Sequence, residues 1–233
     1  MCKSRKLIIV GAGGLGLEAL WVAQSMNADS ASGERWDILG FADDSPKLQG
    51  KEHYGYRVIC RSAEVPERFS EEIFFCCAIG VNRTRKKTAE FLEASGKRAA
   101  TLKHPSALIG TGAEIGPGTY VCGNAFIGPW AKVGRHVVLN VGSCVGHQSA
   151  VGDFAQVCPG AKVLGNCRLG ELAFIGSNAS IHPGKIVGEG VTVAANSFVA
   201  NDIEPWTTVI GTPAGAVFRS KKRYDTTKHP RNH

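Results

Sequence analysis

An aliphatic residue recurs every six positions through the later half of the chain. Sixteen consecutive units run from Ile109 to the unit that begins at Val199, and each begins with Ile, Val or Leu. The fifth residue of most units is small or β-branched, as at Ala113 and Val137. A period of six is neither helical nor a simple strand alternation, so each unit needs a flat edge and a corner. Three edges close a triangle, and the pattern predicts a triangular solenoid with the aliphatic residues inside.

Stacking of successive coils supplies the core of such a solenoid, because one coil cannot bury its aliphatic layer alone. Three units make one coil of 18 residues, so a residue and the one 18 positions later are expected at the same place on adjacent coils. Glycine often occupies the second place, as at Gly110 and Gly146. We expect these glycines to ease the turn of the backbone.

The first hundred residues follow a different pattern. A short apolar strand at residues 6–10 leads into a glycine-rich turn at residues 11–16 and a helical stretch at residues 17–26. A second strand ends in Asp43-Asp44, and a third, at residues 73–80, precedes another helical stretch. The sequence therefore predicts a small α/β domain over residues 1–103, a β-helix over residues 104–220 and a basic, disordered tail over residues 221–233.

The strand, glycine turn and helix are typical of a phosphate-binding site, since the free N–H groups of the helix start face an anion. NAD is one interpretation of this motif, and glycines that only allow a tight turn are another. The domain is short for a dinucleotide fold, and its acidic pair lies beyond the usual distance of about 20 residues from the glycines. A nucleotide sugar fits this size better.

The net charge of +7 comes with basic clusters, such as the one at residues 83–87. No aromatic residues alternate with these clusters and no nucleic-acid motif is present, so nucleic acid is not the expected partner. Small phosphorylated ligands and an ordinary solvated surface both account for the charge. The eight cysteines form no CxxC pair, which favours free thiols in a reducing compartment.

Apolar runs are short throughout the chain. Only four apolar residues follow the basic start, too few for a secretory signal, and no run approaches the length of a transmembrane helix. We therefore expect a cytoplasmic protein without stable membrane insertion.

Candidate chemistry within the repeat centres on His147. Its stacked neighbour one coil later is Gly165, which predicts an open notch over the imidazole with room for a thioester and an attacking amine. Imidazole is suited to general-base catalysis because its pKa is near neutrality. His136, with Phe154 and Gly118 as stacked neighbours, is expected to be a solvated surface histidine. A cysteine nucleophile at Cys144 stays open, and the histidine spacing does not favour a metal site.

Nine motifs follow one another as in the sugar acyltransferases of the bacillosamine, perosamine and sialic-acid pathways, and the chain resembles that family over nearly its whole length. They are Gly11-Ala12-Gly13-Gly14-Leu15-Gly16, Gly40-Phe41-Ala42-Asp43-Asp44, Ala78-Ile79-Gly80, His104-Pro105-Ser106-Ala107, Leu139-Asn140, Gly146-His147, Val151-Gly152-Asp153-Phe154, Pro159-Gly160-Ala161 and Gly211-Thr212-Pro213-Ala214.

The resemblance implies a Rossmann-like domain followed by a left-handed parallel β-helix, assembled as a homotrimer with acetyl-CoA between neighbouring prisms. It implies that His147 is the general base and that Asn140 helps to hold the acceptor amine. It places nucleotide-sugar contacts at Gly13, Gly14, Leu15, Asp43, Asp44 and Gly80, and coenzyme A contacts at Gln156, Gly165, Ser177 and Ala195.

One residue departs from the family pattern. Gln148 follows the proposed base where relatives carry Asp or Glu, so it can orient the imidazole but supplies no charge. The reaction that the resemblance implies is N-acetylation of a nucleotide-linked 4-amino-4,6-dideoxy sugar, with UDP, GDP or dTDP as the nucleotide. O-acetylation of a sialic acid and a non-catalytic trimeric scaffold that binds a nucleotide sugar are the alternatives.

Overall fold

The computed structural model describes residues 4–29 and 35–219. The predicted disordered tail at residues 221–233 lies outside these ranges. None of the helices in the described ranges has the length and apolar character that a membrane span requires.

An α/β domain forms the first part of the molecule. Its sheet has the order β3-β4-β2-β1-β5-β6, and only the β3–β4 pair is antiparallel. The helices and strands are β1 Arg5–Val10, α1 Gly14–Ala28, β2 Trp36–Ala42, β3 Glu52–His53, β4 Tyr56–Cys60, a 3-10 turn Ser62–Glu64, α2 Val65–Arg68, β5 Phe74–Cys77, α3 Asn82–Ala94 and β6 Arg98–Ala99.

The remaining chain winds into a left-handed parallel β-helix, as predicted. Two-residue strands recur every six positions: β7 Leu102–Lys103, β8 Leu108–Ile109, β9 Glu114–Ile115, β10 Tyr120–Val121, β11 Phe126–Ile127, β12 Lys132–Val133, β13 Val138–Leu139, β14 Cys144–Val145, β15 Ala150–Val151, β16 Gln156–Val157, β17 Lys162–Val163, β18 Arg168–Leu169, β19 Phe174–Ile175, β20 Ser180–Ile181, β21 Ile186–Val187, β22 Thr192–Val193 and β23 Phe198–Val199. An antiparallel hairpin, β24 Thr207–Gly211 and β25 Ala214–Arg219, ends the described chain.

Three sheets form the faces of the prism, and all of their strand pairs are parallel except β24–β25. The docked face, which carries the α/β domain, has the order β25-β24-β22-β19-β16-β13-β10-β7. The open face has the order β23-β20-β17-β14-β11-β8, and the third face has the order β21-β18-β15-β12-β9. Paired residues are 18 apart, as in Tyr120 with Val138. The array begins at β7, one strand before the first predicted unit and directly before the predicted boundary between residues 103 and 104.

The aliphatic first residues and the small fifth residues point inward, as predicted. Val121, Ala125, Ile127 and Ala131 are fully buried in one cluster that continues along the prism to Val209. The burial of this continuous apolar layer is the main stabilising term of the β-helix.

The structure corrects the role expected for the second-place glycines. The left-handed backbone falls at the fourth place of every unit from the one at Ile109 to the one at Val193, for example at Asn124 (φ 56°) and Gly142 (φ 64°). A second-place glycine instead lies against the next coil. A Cβ at Gly146 would be 2.6 Å from the backbone nitrogen of Gly165, and a Cβ at Gly152 would be 2.6 Å from that of Glu171. These glycines permit close stacking.

We predict that Gly152→Ala lowers the free energy of unfolding by about 1–3 kcal/mol, since overpacking costs about that much. Chemical denaturation measures the change. Gly215→Ala is the matched control, because a Cβ there meets nothing within 4 Å. Equal stability of the two variants would contradict the stacking role.

Arg85 joins the α/β domain to the β-helix. This α3 side chain is 0% exposed. Its guanidinium donates to the carbonyl of Ile79 (2.8 Å) within its own domain and to the carbonyls of His136 (3.1 Å) and Phe154 (2.7 Å) at a corner of the prism. Burial lowers the pKa of Arg85. A buried cation is unfavourable unless it is hydrogen-bonded, and here its carbonyl acceptors come from both domains. Arg85 therefore favours the observed orientation of the two domains.

His136 lies in the same interface, and the expectation of a solvated surface histidine is wrong. The side chain is 1% exposed. Its ring stacks on Phe154, with centroids 5.1 Å apart, and on Phe75, with centroids 5.8 Å apart. Nε2 lies 2.9 Å from Glu93 Oε1. The stacked neighbours were predicted correctly, but the α/β domain covers them, which the repeat alone does not indicate.

Burial lowers the pKa of His136, and Glu93 partly offsets this shift. As pH falls, the imidazole is therefore protonated in the unfolded chain at a higher pH than in the folded protein. The free energy of unfolding consequently decreases below about pH 6.5, the ordinary pKa of histidine. We predict that wild type loses more free energy of unfolding between pH 7 and pH 5 than His136→Phe, measured by urea denaturation. Phe154 adopts the same left-handed backbone (φ 58°), so the variant can keep the stack. Parallel pH profiles would contradict this assignment.

Candidate active site

The glycine turn lies at the carboxyl edge of the α/β sheet. The turn follows β1, and α1 begins at Gly14 after Gly13, which makes no side-chain cap. The first N–H groups of α1 therefore have no side-chain acceptor at this cap and suit an anion. Leu15 lies beside Gly80, since a Cβ on Gly80 would be 3.7 Å from Leu15 Cδ1. The structure thus brings Gly13, Gly14, Leu15 and Gly80 together.

The acidic pair after β2 organises the turn. Asp43 accepts hydrogen bonds from the backbone N–H groups of Ala12 and Ser45, both at 2.8 Å. Asp44 accepts from the backbone N–H (2.9 Å) and the hydroxyl (2.7 Å) of Ser62. Both carboxylates have partners within the domain, so their predicted ligand contacts stay a prediction.

A cleft of about 870 Å³ opens between the α/β domain and the upper coils of the docked face. Gly80 and Arg83 line one side, and Phe174, Thr192 and Trp206 line the other. The guanidinium of Arg83 lies 4.5 Å from the centre of the Trp206 ring. The volume of the cleft is within the range of small-molecule sites. Gly80 lies both in the lining of the cleft and beside Leu15 of the glycine turn.

His147 is exposed at the corner that joins the open face to the third face, residues 146–149 in its coil. The imidazole fills the space over Gly165, where a Cβ would lie 2.6 Å from His147 Cε1. The stacking was predicted correctly, but the ring itself occupies the notch that was expected to admit the thioester. Gly165 therefore positions the ring.

Gln148 orients the imidazole. His147 Nδ1 lies 3.2 Å from Gln148 Oε1. An amide oxygen only accepts, so this contact is a hydrogen bond when Nδ1 carries the proton, which leaves Nε2 as the basic nitrogen. Among the hydrogen bonds of the described residues, none joins His147 to a carboxylate. The amide takes over orientation but not charge stabilisation.

Asn140 lies at another corner, which joins the docked face to the open face. It is 1% exposed, and its Nδ2 donates to Glu18 Oε2 on α1 at 2.5 Å. Gln156 is 6% exposed and donates from Nε2 to Asn140 Oδ1 at 3.5 Å. Burial raises the pKa of Glu18, and the hydrogen bond from Asn140 partly offsets this.

Two corners of the prism divide the predicted site residues. Asn140 and His147 belong to one coil, but β14 of the open face separates them. Gly165 lies with His147, whereas Ser177 and Ala195 stack at the corner of Asn140. At about 3.3 Å per residue, the two corners are on the order of 15 Å apart. One copy therefore does not bring Asn140 and His147 to a single amine.

Other reactive groups near the site are less suited to the chemistry. Burial raises the pKa of Cys144, which keeps this thiol protonated and weakly nucleophilic. The seven cysteines in the described ranges are all free. Those ranges also contain no group of three or more His, Cys, Asp or Glu side chains able to hold a metal ion.

Two side chains at the site were missed from sequence. Glu18 contacts Asn140 across 122 positions of the chain. His53 Nε2 lies 2.8 Å from the carbonyl of Ala12 in the glycine turn. The position of Glu18 on the helix that follows the glycine turn could have indicated its role, whereas no sequence motif indicates a role for His53.

Comparisons with known proteins find relatives of both parts of the chain. The model of the PglD N-terminal domain matches residues 6–92. The GDP-perosamine N-acetyltransferase of Escherichia coli O157:H7 is 28% identical over 144 residues, which cover 62% of this chain. The chain spans 63% of the length of that protein.

Solved structures match over most of the chain. PerB from Caulobacter crescentus, in complex with CoA and GDP-perosamine, is 24% identical over 91% of this chain and 96% of its own, with a TM-score of 0.82, and supports the fold. The acetyltransferase domain of PglB from Neisseria gonorrhoeae is 30% identical, with a TM-score of 0.82, over 92% of this chain and all of that domain. The same domain has been solved with acetyl coenzyme A, at 31% identity and a TM-score of 0.83 over 92% of this chain and 100% of its own. The chain belongs to the family of left-handed β-helix sugar N-acetyltransferases.

Proposed function

We propose that this enzyme transfers an acetyl group from acetyl-CoA to the 4-amino group of a nucleotide-linked 4-amino-4,6-dideoxy sugar. The observation that carries the proposal is the fixed, exposed imidazole of His147, whose Nδ1 contacts Gln148 and whose Nε2 is left as the base. The PglB domain solved with acetyl coenzyme A supports the donor, and the GDP-perosamine N-acetyltransferase of Escherichia coli O157:H7 supports the acceptor class.

His147 acts as the general base in this proposal. The acceptor nitrogen attacks the thioester carbonyl carbon, and Nε2 takes a proton from that nitrogen as the N–C bond forms. Main-chain N–H groups near the corner stabilise the oxyanion. The tetrahedral intermediate then collapses, the C–S bond breaks, and the imidazolium returns the proton to the departing sulfur of coenzyme A.

The reacting groups come from two copies of the chain in a homotrimer. The separation of Asn140 from His147 within one copy supports this assembly. Exposed apolar side chains on and beside the open face support it further: Leu108, Phe126 and Trp130 are all solvent-accessible in one copy. A neighbouring prism that covers this face would bring its Asn140 corner close to the His147 corner of the first copy. Coenzyme A would then lie in the groove between the two prisms, between Gly165 of one copy and Ser177 and Ala195 of the other.

The nucleotide occupies the carboxyl edge of the α/β sheet. Its diphosphate meets the uncapped start of α1 at Gly13 and Gly14, and the cleft beside Gly80 accommodates the remainder. UDP, GDP and dTDP are all compatible with this site. The free thiols are consistent with a cytoplasmic enzyme.

We predict that His147→Ala lowers kcat by about 10²- to 10⁴-fold, the usual contribution of a general base. Thiol release from acetyl-CoA with GDP-perosamine and its UDP and dTDP counterparts measures turnover. Analytical ultracentrifugation checks assembly. His182→Ala is the comparison variant, because it removes another exposed imidazole from the same corner, two coils from His147, where the ring contacts Phe198.

Full activity of His147→Ala would remove the base from this mechanism. Transfer to a sialic acid but to none of the amino sugars would replace N-acetylation with O-acetylation. Binding of the nucleotide sugars without any thiol release would identify a scaffold.

A further inference from the structure

A carboxylate covers Asn140 at its corner of the prism. Glu18 lies in the second turn of α1 and accepts from Asn140 Nδ2 at 2.5 Å. Asn140 is almost fully buried beneath it, whereas Glu18 is partly exposed. A ligand that approaches this corner therefore meets Glu18 before it meets Asn140.

A buried polar chain supports the carboxylate from below. Gln156 donates to Asn140, and Asn140 donates to Glu18, so both amides are oriented by one hydrogen-bonded sequence. Gln156 Oε1 is buried and has no hydrogen-bond partner. Buried amides of this kind are normally satisfied. Gln156 therefore adds an unpartnered acceptor at the buried end of this chain of amides.

Glu18 has no cationic partner among the ion pairs of the described residues. Its charge is partly withdrawn from water, which is unfavourable without a partner, and its raised pKa has this cause. On the same helix, the Trp21 side chain is 41% exposed one turn later and packs against His104, with ring centroids 4.3 Å apart. A carboxylate beside an exposed aromatic ring suits a sugar that carries a positive charge.

We propose that Glu18 receives the acceptor's amino group as its ammonium ion, and that Asn140 is a positioning residue that holds Glu18. The inference rests on the proposed function and names the group that distinguishes an amine from a hydroxyl. Glu18 Oε2 is held by Asn140, so Oε1 is the oxygen available to the ammonium.

The proton balance follows from this binding mode. The ammonium loses one proton to the base, which releases it to solvent, and the neutral nitrogen then attacks the thioester. A second proton leaves nitrogen during attack and ends on the coenzyme A sulfur. The products are the amide, the free thiol of coenzyme A and one proton. Glu18 remains ionised throughout.

Isothermal titration calorimetry with two ligands, in the presence of CoA, tests the proposal. The probes are GDP-perosamine and the GDP sugar that carries a hydroxyl in place of its 4-amino group. We expect Glu18→Gln to weaken GDP-perosamine about 10- to 100-fold, because a hydrogen bond to a charged group is worth about that much, and to leave the hydroxyl analogue unchanged. Glutamine can still accept from Asn140, and Glu18→Asp keeps the charge and should keep the amine preference.

The controls separate charge selection from fold and from function. Glu67→Gln, on α2, removes an equal charge from an exposed site and should change neither affinity. If Glu18→Gln loses affinity for both GDP sugars but keeps its affinity for CoA and its melting temperature, Glu18 has a structural role and the inference is overturned. Wild-type turnover would still support the proposed function in that case. Equal wild-type affinity for the two ligands would overturn the inference but not the proposed function, which the thiol-release assay with the GDP, UDP and dTDP amino sugars tests separately.

Discussion

The fixed pairing between residues 18 apart is the constraint on which the rest of the structure depends. Each two-residue strand pairs with the strands one coil below and above, so no residue can slip without moving an aliphatic side chain out of the core. The corner that a residue occupies is therefore set by its position in the chain. This register places His147 directly against Gly165, and it also separates His147 from Asn140 by one edge of the triangle.

The proposed function also depends on how the α/β domain packs against the β-helix. The α/β domain places α1 along the docked face, where Glu18 reaches Asn140, and α3 against a neighbouring corner, where Arg85 and His136 are buried. Lys86 adds an ion pair to Glu171 of the β-helix at 2.5 Å. The glycine turn is thereby held in a defined position relative to the buried amides of the β-helix.

Much of this architecture is readable from sequence because the repeat is strict. The prism, its inward residues, the α/β domain and the contact of His147 with Gly165 all follow from periodicity and motif. The role predicted for the second-place glycines was wrong, because a period shows that a turn exists but does not show which residue adopts the left-handed backbone. The burial of His136 and the contact of Glu18 with Asn140 depend on domain docking, and no local pattern encodes contacts across 43 and 122 positions.

In the proposed mechanism, two copies of the chain share the reacting centre: Glu18 and Asn140 come from one copy and His147 from the next. Co-expression of His147→Ala and Glu18→Lys chains in equal amounts, followed by assay of the mixed oligomer, tests it most directly. Random mixing gives about one quarter of the sites an intact His147 from one chain and an intact Glu18 from its neighbour. A shared centre predicts about one quarter of wild-type turnover from two inactive parents. A mixed oligomer as inactive as its parents would place the whole centre within one chain and contradict it.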